Sequence, residues 1–232
     1  MKTKLPPFLK SRKFDGFEIA PTDRVLTLGR TGSGKSTLLR QIAYWRYDNG
    51  ALVIVIDPKG EFVVTNNDQI VTEPAGLQSI DTKPKNGKIR PVVYRPDPDF
   101  DDPVFYENVF AWVYRLKNCV VLIDECYSVY GGSLSNSRNL RALLTRGRSL
   151  GIATYVATQR PRNIPLEILT ESEHRFVFRL DLADDRRRAF EITAREEFLQ
   201  PVPERYSFRY HYAEMETDQP LPKPMRLQIK ER

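Results

Sequence analysis

Residues 29–36 read Gly29-Arg30-Thr31-Gly32-Ser33-Gly34-Lys35-Ser36 and fill every fixed position of the template G-x-x-x-x-G-K-[ST]. The apolar run Val25-Leu26-Thr27-Leu28 before them predicts a strand, and Thr37 to Ala43 after them predicts a helix. Strand, glycine loop and helix in that order make a phosphate cradle. Glycines let successive backbone N–H groups turn toward phosphate oxygens, and the helix N-terminus adds partial positive charge. In this geometry Lys35 reaches the β- and γ-phosphates and the Ser36 hydroxyl ligates Mg²⁺. Gly29, Arg30, Thr31, Gly32, Ser33, Gly34, Lys35, Ser36 and Thr37 form the expected nucleotide-binding stretch.

The bulk numbers bound the class. At 232 residues, 41% hydrophobic and 28% charged, the chain suits one α/β domain with extensions. A net charge of +6 favours an anionic partner. Two cysteines, Cys119 and Cys126, flank one apolar strand and read as reduced, buried thiols; with His174 and His211 scattered, no zinc spacing arises. The longest apolar runs are about six residues, against roughly 20 needed to span a bilayer. The N-terminus has no apolar core of signal-peptide length. No membrane span and a cytoplasmic location are expected.

Strands alternate with helices along the chain. Ala51–Asp57, Pro91–Pro96, Cys119–Ile123, Ile152–Gln159 and Arg175–Leu180 read as strands, the longer ones continuously apolar as in a parallel sheet covered on both faces. Pro103–Lys117, a stretch from Asn136, and 184–196 read as helices. Residues 66–90 read as an irregular excursion and 127–135 as a Gly/Ser/Tyr loop. The expected organisation is a basic arm over 1–22, an ATPase core over 23–200, and a Pro-rich C-terminal extension over 201–232 with a short strand near Phe208–Tyr212. The expected fold class is α/β, a mostly parallel sheet with helices on both faces.

Four further features narrow the chemistry. Asp124 and Glu125 end the strand from Cys119, where a carboxylate lies beside the phosphate loop of an open α/β sheet. Asp124 is the metal-side acid, acting through water with Ser36, and Glu125 the base that polarises attacking water. Both could instead only cap the strand. Gln159 ends another strand and would face the γ-phosphate if that strand lies between the other two; a turn role is the bland alternative. Arg146 and Arg148 are the candidates for an arginine donated to a neighbouring subunit's phosphate, Arg146 slightly preferred, although charge on a helix face is commonly only solvation. Asp57, Lys59 and Glu61 end a strand at the same edge and could couple nucleotide state to a neighbour, or simply form a turn.

These blocks, with Ile56-Asp57-Pro58-Lys59-Gly60-Glu61, Gly147-Arg148-Ser149-Leu150-Gly151-Ile152 and Ala157-Thr158-Gln159-Arg160-Pro161, resemble the HerA–FtsK superfamily of ring-forming DNA-pumping ATPases over about residues 20–182. The resemblance implies a RecA-like (ASCE) P-loop NTPase with a strand added between the two Walker strands. It also implies ATP with Mg²⁺, double-stranded DNA bound without sequence preference, and a homo-oligomeric ring, a hexamer as a rule. The short chain looks most like a single-domain viral genome-packaging ATPase, working at a capsid vertex or portal in the host cytoplasm or with the virion. A cellular or mobile-element DNA-processing or conjugation ATPase is the near alternative.

The segment from Tyr127 to Ser135 is expected to border a DNA pore, or to be an ordinary loop. Arg160, Arg162 and Arg186-Arg187-Arg188 are further candidates for DNA or subunit contacts, the triple arginine reading best as a solvated face. Rival classes are a nucleoside or metabolite kinase, disfavoured by the Asp-Glu pair, a GTP switch, for which no Asn-Lys-x-Asp reader occurs, and an ATP-dependent scaffold.

Overall fold

The computed structural model describes residues 13–84, 89–130, 137–215, 221 and 223–227. It opens with a hairpin of β1 (Lys13–Phe14) and β2 (Phe17–Glu18), turned by Asp15 and Gly16, both at positive φ. Then come β3 (Val25–Leu28), α1 (Lys35–Asp48), β4 (Leu52–Ile56), β5 (Gln69–Val71) and β6 (Val92–Tyr94). The middle of the chain supplies α2 (Pro103–Leu116), β7 (Cys119–Ile123), α3 (Cys126–Tyr130), α4 (Arg138–Arg146) and β8 (Ala153–Thr158). It ends with α5 (Leu166–Thr170), β9 (His174–Phe178), α6 (Ala183–Thr193), β10 (Ser207–Tyr212) and β11 (Met225–Arg226).

Nine strands form one sheet in the order β11-β10-β9-β3-β8-β7-β4-β6-β5. From β9 to β5 every pairing is parallel; β10 and β11 add antiparallel strands at one edge. The continuous apolar runs explain this. Every residue of β3, β4, β7 and β8 is buried, because helices cover both faces. The two-residue period then sorts side chains between two cores. Leu26, Ile54, Ile56, Val121 and Ile123 join one core with α2, α4 and α6, while Val25, Val53, Val55, Val120 and Leu122 join the other with α1 and the hairpin. The structure is the mostly parallel α/β sheet expected.

Three segments differ from the sequence reading. Residues 66–90 hold strand β5 and a 3₁₀ turn at Pro74–Ser79 rather than only irregular chain. Two hydrogen bonds seat β5 beside β6, Gln69 N–H to Pro91 O at 2.8 Å and Arg95 N–H to Val71 O at 2.8 Å. The start of the supposed 127–135 loop is helix α3, buried through Cys126, Val129 and Tyr130; residues 131–135 lie outside the described residues. The hairpin at 13–18 forms because its aromatics find partners: Phe14 meets Trp45 at 5.7 Å and Phe17 meets Tyr210 at 4.6 Å.

The β9–β10 seam carries a buried titratable group. His211 is 5% exposed, and its Nδ1 accepts from the Arg175 guanidinium at 3.3 Å, which fixes the neutral tautomer with hydrogen on Nε2. Burial, with Arg175 and Arg195 adding to it, pushes the imidazole down to about 4. The unfolded chain binds this proton near pH 6.5 and the folded chain only near 4, so the contribution costs stability as pH falls through that window. His211→Phe should therefore lose less stability than wild type between pH 6.5 and 4, measured by urea denaturation across the range; equal losses would remove His211 from the account.

Candidate nucleotide site

Parallel register brings the functional strand ends to one edge. Leu28 pairs with Thr158, Ile123 with Val156, and Ile56 with Ile123. Gly29 and Gln159 thus emerge side by side, and Asp124 and Asp57 do so together, two residues short of Gln159 along the sheet. Strand β8 lies between β3 and β7, the arrangement on which the reading of Gln159 depended.

The loop from Gly29 is pinned at its entrance. Gly29 N–H bonds Thr158 O at 3.3 Å and Arg30 N–H bonds Arg179 O at 2.9 Å, which ties the loop to both neighbouring strands. A Cβ on Gly29 would stand 2.6 Å from Phe178 Cβ and 2.8 Å from Ser33 Oγ, so only glycine fits. Gly34, at φ 108°, is the N-cap of α1. The Arg30 side chain turns outward to Asp181 at 3.1 Å. Thr31 donates to Gln159 Oε1 at 2.7 Å, a direct clasp between the loop and the end of β8. Thr37, in the first turn of α1, is half-buried.

Charge is concentrated under the loop. Lys35 is buried and donates from Nζ to Arg30 O at 3.0 Å. Burial pulls its ammonium down to about 8, against the opposing pull of the Glu125 and Asp124 carboxylates. Burial pushes the Asp124 carboxyl up, against a hydrogen bond from Ser36. Asp124 Oδ1 is buried without a hydrogen-bond partner among the described residues. An adjoining hydroxyl and an unsatisfied carboxylate oxygen suit a magnesium ion that keeps waters and takes phosphate oxygens as its other ligands.

Glu125 is 5% exposed. Its Oε2 lies 3.3 Å from Lys59 Nζ, and its Oε1 receives the Tyr127 N–H at 3.4 Å. Sequence reasoning named Lys59 without finding this pairing. The clue was a lysine three residues past β4, the strand that hydrogen-bonds to β7. Asp57 has a different task. Wholly buried, it accepts from the N–H groups of Glu61 and Phe62 and from Arg95 at 2.7 Å, holding the turn that aims Lys59.

Arg146 and Arg148 are not brought to this site. They precede β8, at the end of the sheet opposite Gln159, and six strand residues separate the two edges by about 20 Å. Arg148 pairs with Glu173 at 3.2 Å, while Arg146 is exposed. The other arginines are engaged: Arg160 with Asp185 at 3.1 Å, Arg162 and Arg187 with Asp184, Arg188 with Glu191, and Arg186 with the carbonyls of Leu180, Asp181 and Leu199. Cys119 and Cys126 are buried free thiols, pushed up by burial, Cys119 to about 12. Among the described residues, no helix is long and apolar enough to cross a membrane.

Comparison with known proteins agrees with this geometry. Residues 22–125 match the model of the central domain of helicase HerA. The chain is 27% identical over 172 residues to the DNA packaging ATPase P9 of Enterobacteria phage PRD1, covering 72% of this chain and 69% of that one. The fold matches the genome packaging NTPase B204 of Sulfolobus turreted icosahedral virus 2 in complex with AMPPCP, with TM-score 0.69 and 18% identity over 90% of this chain and 100% of that one. It also matches VirB4 of Thermoanaerobacter pseudethanolicus, with TM-score 0.64 and 11% identity over 90% and 89%. The resemblance to HerA–FtsK ATPases carried by the sequence motifs is borne out, and the fold is RecA-like.

Glu125→Gln keeps the shape of the site but removes the carboxylate. It should leave ATP binding within a few-fold of wild type and lower kcat by about 10²–10⁴, measured by equilibrium titration and single-turnover phosphate release. Near-normal hydrolysis would take Glu125 out of the base role.

Proposed function

We propose that this HerA-type P-loop ATPase hydrolyses ATP to drive DNA, as the packaging motor of a virus. The carrying observation is a charged cluster beside the phosphate loop with neither candidate arginine in it. Lys35, Asp124, Glu125 and Gln159 gather at one end of the sheet, and Arg146 and Arg148 stand at the other. Similarity to the phage P9 protein, which extends over more of the chain than the HerA-domain match, supports packaging over a cellular or conjugative pump.

In this reading the phosphates of ATP lie on the backbone of residues 29–37, with Lys35 on the β- and γ-phosphates. Ser36 and Asp124 would hold Mg²⁺, whose chemistry is to screen the phosphate charge. The Gln159 amide orients a water, and the Glu125 carboxylate accepts its proton. The water oxygen bonds to the γ-phosphorus as the bond to the β–γ bridging oxygen breaks, leaving ADP and phosphate. An arginine from a neighbouring subunit, Arg146 before Arg148, stabilises the charge of that transition state. Arg146 is preferred because Arg148 is already paired with Glu173.

A ring of subunits, a hexamer by resemblance, follows from a site that needs a neighbour. It would act at a capsid vertex or portal, in the host cytoplasm or with the virion. DNA contact would be electrostatic and indifferent to sequence, as a protein that passes any base requires, and the net charge of +6 supports this. Tyr127, half exposed in α3 two residues beyond Glu125, would report hydrolysis to DNA.

Double-stranded DNA should stimulate phosphate release several-fold; turnover indifferent to DNA would count against a pump. Arg146→Ala should lower kcat about 10³–10⁵-fold. Mixing it with inactive Lys35→Ala should recover part of the activity, since some interfaces then pair an intact loop with an intact arginine. No recovery at any ratio would exclude Arg146 acting between subunits.

A further inference from the structure

From Cys126 to Leu166 the chain carries six arginines and no Lys, Asp or Glu, in a protein with 30 acidic residues. Three of the six reach acids on other elements: Arg148 meets Glu173, Arg160 meets Asp185 and Arg162 meets Asp184. Arg138, Arg141 and Arg146, all on α4, meet no acid among the described residues, and all three are exposed. The helical period turns them outward. Leu140, Leu143 and Leu144 fill the buried face of α4, and the arginines fall on the opposite one. Only Ala142 and Thr145 lie between them there, short side chains that let a partner come close. Glu107 of α2, which touches α4, has its carboxylate engaged by the N–H groups of Asn139 and Leu140 at 2.7 and 3.3 Å.

Charge and geometry select the partner. From Arg138 to Arg146 the cations extend along about 12 Å of helix axis, and duplex DNA presents a negative charge roughly every 1.7 Å of its own axis. A guanidinium fork also matches two phosphate oxygens at once, which an ammonium does not. The amide of Asn139 donates to the Glu107 carbonyl at 3.3 Å and is not free to read a base edge. The helix is tied to the chemistry as well. Cys126, the residue after Glu125, opens α3, and Tyr127 N–H donates to Glu125 Oε1 at 3.4 Å. At the far end of α3, Tyr130 O accepts from Ser137 Oγ at 2.8 Å, and Ser137 is the N-cap of α4. A movement of Glu125 therefore has a short, hydrogen-bonded route to the start of the arginine face.

We propose that the exposed face of α4 is a DNA-contact surface, on which Arg138 and Arg141 grip phosphates of the duplex backbone whatever its sequence. Arg146, at the other end of the helix, is left to the subunit boundary. This rests on the DNA-pumping reading above and adds where the duplex is held. Phosphate contacts hold a duplex in position without reading its bases, as a protein that must pass every sequence requires.

Fluorescence anisotropy of a labelled duplex of arbitrary sequence, titrated across a salt series, tests this. Arg138→Gln combined with Arg141→Gln should weaken binding roughly 10- to 50-fold at about 0.15 M salt and flatten the slope of log K against log[salt] by about 2. Arg138→Lys combined with Arg141→Lys keeps the charge and should keep the slope. Arg187→Gln combined with Arg188→Gln removes the same two charges from α6, where both are ion-paired, and should leave the slope unchanged. Basal ATP turnover should be unchanged in all three, and its stimulation by DNA lost in the α4 glutamine variant alone. Equal weakening by the two glutamine variants would reduce the effect to net charge and overturn the inference. So would an α4 glutamine variant that binds DNA like wild type but loses its oligomer in light scattering, which would make the face a subunit contact. Wild-type protein that binds no duplex would overturn the DNA-pumping reading and this inference together.

Discussion

Parallel hydrogen bonding of β8 between β3 and β7 is the constraint on which the rest of the site depends. It sets the ends of the central strands within two residues of one another, so a loop, an amide and two acids distant in sequence come to one edge without long excursions of chain. It also buries the central strands on both faces, which is why their sequences run apolar from end to end. A slip of one residue in β8 would exchange the side chains of its two faces and would part Gln159 from Thr31.

The electrostatics follow from that convergence. Lys35, Asp124 and Glu125 are all buried, and the first two carry shifts dominated by burial. Lys59 offsets the charge of Glu125 from the neighbouring strand, and Asp57 with Arg95 fixes the turn from which Lys59 reaches. Lys59 pairs with Glu125, Arg95 with Asp57, and Lys35 donates to a backbone carbonyl, while Asp124 Oδ1 and Ser33 Oγ have no hydrogen-bond partner among the described residues. Unsatisfied polar atoms are costly in a folded interior, and both atoms lie where a nucleotide and its cation would supply partners.

Much of this was legible in the sequence because it depends on short spacings. Gly29 to Ser36 are contiguous, Asp124-Glu125 directly end an apolar run, and continuous apolarity in β4, β7 and β8 marks buried parallel strands. What stayed hidden depends on partners far away in the chain. Strand β5 has only three residues and takes its place from β6 twenty residues on. Helix α3 looks like a loop because Tyr127 and Ser128 are polar, while Cys126, Val129 and Tyr130 face the core. The Lys59–Glu125 pairing needed the order of β4 and β7. The closeness of Tyr206 to Gly34 needed the antiparallel addition of β10, which no local pattern announces.

Strand β8 is followed directly by Gln159, against the phosphate loop, and is preceded by Arg146 and Arg148. A strand held on both sides by hydrogen-bonded neighbours is stiff along its length. In a ring, one end of this rod would sense the nucleotide of its own subunit while the other end reached into the next. Displacement at the sensing end would be felt at the reaching end as a push rather than as a message passed from side chain to side chain.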